Sequence, residues 1–95
     1  MSEISLNSSS IVKRTDGLMS TRVEQEIYIL NPVRDQYTGL DEVGRRIWDL
    51  LETGTRVDSL RDRLVQEFEG DPQEIAADVM EFLNELQGEG LLEVQ

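Results

Sequence analysis

The sequence predicts an α+β fold of winged helix-turn-helix-like layout: a three-stranded antiparallel β-meander followed by three α-helices. Three observations predict it. Short strand-like runs with turn residues between them fill residues 10–40. From Asp41 onward the apolar residues recur at helical spacing. The breaks between the helical stretches carry cap residues, glycine or proline rather than long linkers.

Residues 1–9 are polar and serine-rich and read as a flexible arm, leaving 10–95 as one domain. Ser10–Thr15 (SIVKRT) reads as the first strand, followed by an Asp16-Gly17 turn signal. Arg22–Leu30 reads as the second, with Ile27 and Ile29 on one face and Tyr28 and Leu30 on the other. Asn31-Pro32 stops it. Residues 32–35 turn the chain, and Gln36–Leu40 (QYTGL) is the last short strand. Gly39 inside a strand pattern marks a bulge, a close backbone approach or a wide turn into the next helix. Tyr28 and Tyr37, on neighbouring strands, are placed to pair across the sheet.

Asp41 is a good N-cap for a first helix over about 42–52, with Val43, Ile47, Leu50 and Leu51 on one stripe and Trp48 beside it. Gly54 is the expected left-handed C-cap. Thr55 is the expected cap of the second helix, with Asp58 three residues on as a near-match to a capping box. Leu60, Leu64, Val65 and Phe68 form its stripe, and Gly70 ends it. Asp71-Pro72 starts the third helix, over about 72–87, with a cap followed by proline at the first helical position. Ile75, Val79, Phe82, Leu83 and Leu86 make its apolar face. Gly88 and Gly90 stop it, and the tail Leu91–Gln95 is placed to return as a short extended segment.

Composition narrows the chemistry. The chain has neither cysteine nor histidine, which removes disulfides, thiolate ligands, the cysteine nucleophile and the usual general base. The carboxylate pairs Glu67/Glu69, Asp78/Glu81 and Glu85/Glu89 fit solvated helix faces better than an acid/base pair or a metal site. No catalytic residue, cofactor or metal is therefore expected. No apolar run approaches a membrane span and the N-terminus lacks a signal-peptide pattern, so the expected location is the cytoplasm. The net charge is −11, and thirteen of the twenty acids lie in residues 49–95 against three arginines. The plain reading is a solvated acidic surface, and the sharper one is steering of a basic or neutral partner. Nucleic-acid binding, which the helix-turn-helix-like pair invites, is disfavoured. In the second helix Arg61 and Arg63 are opposed by Asp58, Asp62, Glu67 and Glu69, and phosphate contacts draw on Lys and Arg.

The run Tyr37-x-x-Leu40-Asp41-x-x-Gly44-x-x-Ile47-Trp48-x-Leu50-Leu51, then Gly54-x-x-Val57 and Leu60, resembles the PqqD-like fold. Asp78-Val79-x-x-Phe82-Leu83-x-x-Leu86 and Gly90-Leu91-Leu92 fit its third helix and exit. These are the RiPP recognition elements, small domains that bind the leader of a ribosomally made precursor peptide. The resemblance runs from about residue 10 to 95. Asp41 stands where many relatives have Asn, and either serves as a helix cap. The length looks like that of the stand-alone leader-binding protein of split lasso-peptide systems, in which a cysteine protease removes the leader and a cyclase closes the ring.

The resemblance implies a non-catalytic adaptor whose leader peptide adds as a strand beside the last strand and lies over the third helix. The edge would be Gln36, Tyr37, Thr38, Gly39 and Leu40. Side-chain pockets would come from Tyr28, Leu30, Val33 and Tyr37 on the sheet side and from Asp78, Val79, Phe82 and Leu83 on the helix side. Two alternatives stand beside it. One is a PqqD-type chaperone serving a radical-SAM enzyme in cofactor or other RiPP biosynthesis. The other is a winged-helix DNA-binding regulator.

Overall fold

The stretch before Asp41 folds with one more strand than the sequence suggests. A computed structural model, which describes residues 6–24 and 26–95, gives β1 (Ile11–Arg14), β2 (Met19–Val23), β3 (Glu26–Asn31) and β4 (Gln36–Leu40). The helical half follows as α1 (Glu42–Leu50), β5 (Thr55–Arg56), α2 (Val57–Glu67), α3 (Pro72–Gly88) and β6 (Leu92–Val94).

The meander is β2–β3–β4, and β1 lies in a second sheet of order β5–β1–β6. The single strand expected over 22–30 is thus a hairpin, with Met19 opposite Leu30 and Val23 opposite Glu26. Glu24 carries the turn in the left-handed region at φ 59°, a conformation that glycine or asparagine more often signals. That is why the sequence hid it. The segment 10–15 leaves the meander because its partners are β5 and β6, of two and three residues, too short to show periodicity. The returning tail is β6, paired antiparallel to β1.

Two expected caps are replaced. Gly54 is not left-handed, and α1 ends at Leu51, whose N–H reaches the carbonyls of Ile47 and Trp48. Thr55 does not cap α2. It lies in β5, and its hydroxyl is 3.0 Å from the carbonyls of both Leu50 and Thr53. The first amides of α2 are satisfied by backbone instead: Val57 N–H donates to Ser10 O and Asp58 N–H to Ser8 O, each at 2.9 Å. Asp58 is held by Arg56 rather than by a capping box, and the hydrogen bond from that guanidinium keeps its carboxyl below the usual range. Of the expected arm, residues 1–5 lie outside the described residues, and Ser8 helps start α2. Asp41 and Asp71 cap α1 and α3 as expected, accepting from Gly44 N–H at 2.7 Å and Gln73 N–H at 2.9 Å.

One core joins the layers. Ile27, Ile29 and Leu40 face inward from the meander, and Ile47, Trp48, Leu60, Leu64, Val79, Leu83 and Leu86 meet them from the helices. Val12, Leu91 and Leu92 close it under the small sheet. Two cross-links fix the helices. Arg46 donates to both carboxylate oxygens of Glu67, at 2.7 and 3.2 Å, which joins α1 to α2 and lowers the pKa of Glu67. Arg14 on β1 donates from Nε and Nη2 to Trp48 O at 2.9 and 2.6 Å, with its guanidinium 4.7 Å from the Trp48 ring centroid. A planar fork suits this joint hydrogen bonding and stacking, and an ammonium does not. The variant Arg14→Lys is therefore expected to lose about 1–2 kcal/mol of stability in denaturant unfolding with the fold retained.

Candidate functional site

The site is built from one unpaired strand edge and the helix facing it. In the order β2–β3–β4, β4 has β3 on one side only. Its register with β3 runs unbroken from Ile27 opposite Leu40 to Asn31 opposite Gln36. Gly39 is therefore not a bulge. Among the described residues, no strand other than β3 pairs with Gln36–Leu40. Such an edge presents a row of donors and acceptors to any extended chain.

α3 contacts this edge at its C-terminal end and, through Phe82, the helix that follows the edge. At one end the Thr38 hydroxyl donates to the Glu89 carboxylate at 3.0 Å. Asn31 Nδ2 donates to Glu89 O at 3.3 Å, and Arg34 donates to Gly88 O at 2.9 Å. Asn31 Oδ1 accepts from the amides of Val33 and Arg34 at 3.1 and 3.3 Å, which fixes the β3–β4 turn. At the other end the Phe82 ring lies against Gly44 in the first turn of α1. A Cβ at Gly44 would stand 3.1 Å from Phe82 Cζ. The free edge of β4 thus sits between the C-terminal end of α3, which Thr38 bonds, and the first turn of α1, against which Phe82 packs.

The structure sorts eleven of the twelve sequence-predicted residues into three groups and leaves Val33 apart. Tyr28, Leu30, Tyr37 and Gly39 share the outer face of the meander, opposite the helices. There Met19, Tyr28, Leu30 and Tyr37 line a shallow apolar cavity of about 200 Å³. Tyr37 is 69% exposed. Tyr28 and Tyr37 are diagonal neighbours, since Tyr28 faces Gly39 and Tyr37 faces Leu30. The Tyr28 ring crosses β4 over Gly39, where a Cβ would meet its Cε1 at 3.1 Å. Glycine here lets an aromatic ring reach the sheet edge.

Gln36 and Thr38 lie on β4, where Thr38 bonds Glu89, and Asp78 and Phe82 lie on α3, Asp78 in a cavity among the helices and Phe82 against Gly44. Leu40, Val79 and Leu83 belong to the core, with Leu83 0% exposed, and offer a peptide no side-chain surface. Val33 stands apart at the tip of the β3–β4 turn, 93% exposed.

Three residues that the sequence assigned to core stripes stay partly open. Val43, Phe68 and Ile75 line a cavity among the three helices, together with Asp78. Their position at helix ends, where a stripe runs out of partners, is the signal that pointed to them.

Residues 26–92 match the family model described as Coenzyme PQQ synthesis protein D (PqqD). Among solved structures, the chain is similar to TbiB1 in complex with the TbiA(beta) leader peptide. The identity is 36%, the match covers 85% of this chain and 94% of that one, and the TM-score is 0.77. A lasso peptide synthetase B1 complexed with the leader peptide is 15% identical over 86% and 96% of the two chains, with a TM-score of 0.75. The PqqD truncation of Methylobacterium extorquens PqqCD, a RiPP recognition element, is 22% identical over 93% and 94%, also at 0.75. These last two likenesses concern the fold alone. No curated protein matches the chain.

The outer face carries one titratable marker. Tyr28 donates to Glu26 Oε2 at 2.6 Å, and that hydrogen bond to a carboxylate raises its pKa above the ordinary 10.0. Spectrophotometric titration of a Tyr37→Phe variant isolates Tyr28. Its midpoint is expected above 10.0, and replacing Glu26 by Gln is expected to lower it.

Proposed function

The chain belongs to the PqqD family, and from that membership we propose that it is a non-catalytic adaptor that captures the leader of a ribosomally made precursor peptide. The observation that carries this reading is the free edge of β4 beside α3, in a chain 36% identical to a protein solved with a leader peptide. The leader adds as a fourth strand to the meander. Backbone hydrogen bonds to Gln36–Leu40 supply affinity, and side chains on alternate faces supply selectivity. Outward-facing leader residues meet Tyr28, Leu30 and Tyr37. Inward-facing ones meet Thr38, Phe82 and Asp78. Ordering a disordered leader costs several kcal/mol, so a few well-filled contacts, at about 1–3 kcal/mol each, must outweigh it.

The pathway reading is of the lasso type. The adaptor holds the precursor for a leader-removing cysteine protease and a lasso cyclase, in the cytoplasm, and raises its local concentration at both. The likeness to TbiB1, solved with a leader peptide, supports leader capture, and the PqqD family match is compatible with a chaperone for a radical-SAM enzyme as well. DNA regulation is less favoured. In α2 Arg61 pairs with Asp62 and Arg63 with Glu67, and Arg56 at its N-cap pairs with Asp58, so these arginines are already neutralised.

Strand addition has a signature that other peptide-binding modes lack. When successive amides of a bound leader are N-methylated one at a time, affinity is expected to fall with a period of two. Amides facing β4 are sensitive and those facing away are tolerant. Calorimetry with the TbiA(beta) leader, and with the leader of the precursor encoded beside this chain, measures it. Tight binding with uniform tolerance would sink the proposal.

Side-chain contributions are read separately. Tyr37→Ala, at an exposed position, is expected to weaken leader binding by about tenfold at unchanged thermal stability. Phe82→Ala is expected to weaken it further, and circular dichroism separates that loss from damage to the α1–α3 seam.

A further inference from the structure

Among α1, the end of α2 and the start of α3 lies the cavity of about 240 Å³ bordered by Val43, and its chemistry is two-sided. Its floor is apolar, made by Leu64, Phe68, Ile75 and Val79. Val43 stands at the mouth, 37% exposed. Its rim carries four carboxylates, Glu69, Asp71, Glu74 and Asp78, and no lysine or arginine lines it. Asp71 spends one oxygen on capping α3. The carboxylates of Glu69, Glu74 and Asp78 have no hydrogen-bond or ion-pair partner among the described residues. The contrast with the arginines is sharp, since Arg14, Arg46, Arg56, Arg61 and Arg63 all pair with acids elsewhere.

An apolar shaft with unneutralised anions at its mouth fits a side chain with a long hydrocarbon stem and a cationic head. The volume is below the range of small-molecule sites, about 300 Å³ and upward, and suits one side chain. The cavity is also joined to the β4 edge through α1, since Val43 lies three residues after Leu40. Asp78 lies one turn before Phe82 on α3, and Val43 precedes Gly44, against which Phe82 packs. An antiparallel partner is favoured for β4, as for every other strand pair here. The added strand then runs from the Leu40 end toward the Gln36 end, and its N-terminal side reaches this cavity.

We propose that this cavity is a specificity pocket for one lysine or arginine of the bound peptide, placed N-terminal to the segment that pairs with β4. This inference rests on the strand-addition reading and adds a chemical requirement to it. The stem is buried against Phe68 and Ile75, and the head sits among Glu69, Glu74 and Asp78.

The test is a display library of random peptides selected against the full chain, with ¹⁵N spectra of the protein bound to each selected peptide. Peptides that shift residues 36–40 are expected to share a cationic residue at one fixed position N-terminal to the pairing segment. Replacing it by norleucine, which keeps the stem and removes the charge, is expected to weaken binding about tenfold. The double variant Glu69→Gln/Glu74→Gln is expected to weaken the cationic peptide similarly and to leave the norleucine peptide unaffected. Added salt is expected to narrow the gap between the two peptides. A fixed apolar residue at that position, or an equal norleucine loss in both proteins, overturns the pocket assignment while strand addition stands. Selected peptides that leave residues 36–40 unmoved overturn strand addition, and the pocket assignment with it.

Discussion

The close contact between Phe82 and the backbone at Gly44 sets the geometry on which the site depends. α1 begins two residues after β4 ends, with Asp41 between them as its cap. Whatever fixes the first turn of α1 against α3 therefore also fixes the C-terminal end of β4. Gly44 is buried and gives the Phe82 ring room against the helix backbone. A bulkier residue would push α1 away from α3 and take the end of β4 with it. At the opposite end, Asn31, Arg34 and Thr38 bind the last turn of α3 and the residue after it. The strand is held at two points, and its edge between them is left to solvent.

Such an edge is a hazard as well as an opportunity, because it can pair with another copy of the chain. Its length is five residues, which limits the gain from any unselective pairing. Acids also surround it: Asp35 in the turn before it, Asp41 and Glu42 after it, Asp78 and Glu89 on the helix side. Two copies meeting edge to edge would bring these charges together at a protein carrying a net charge of −11. A peptide of opposite or little charge meets no such penalty. The same charges thus disfavour self-pairing and favour a foreign strand.

The helical half was legible because each helix carries an apolar stripe, and α1 and α3 also carry their caps in sequence. Asp41 and Asp71 cap as their position implies, and Pro72 takes the first helical position of α3. The meander was legible as a class but not in its membership. The turn at Glu24 uses a residue that carries no turn signal, and β5 is two residues long. Those features arise from tertiary pairing, which local propensity does not encode. The same limit applied to the site. The strand QYTGL and the α3 residues Asp78 and Phe82 could be named from pattern, but spacing could not separate Phe82 from its neighbours Val79 and Leu83. On a helix those three lie within one broad apolar face, and only packing decides which one stays at the margin.

Gly39 illustrates how packing revises a sequence argument without discarding it. A glycine at a strand edge suggests a place where another backbone can approach closely. The structure shows a nearer reason, since the space over Gly39 is already taken by the Tyr28 ring. The two are compatible, because the ring occupies the outer face and leaves the hydrogen-bonding edge of β4 free. The consequence is that Tyr28, although it sits on the central strand of the meander, extends its surface across β4 toward the edge. A side chain on the outer face of an added strand, opposite Gly39, would meet the rim of that ring rather than an empty notch. Selectivity at that position is then set by a residue one strand further in, which edge-by-edge reading of the sequence does not reveal.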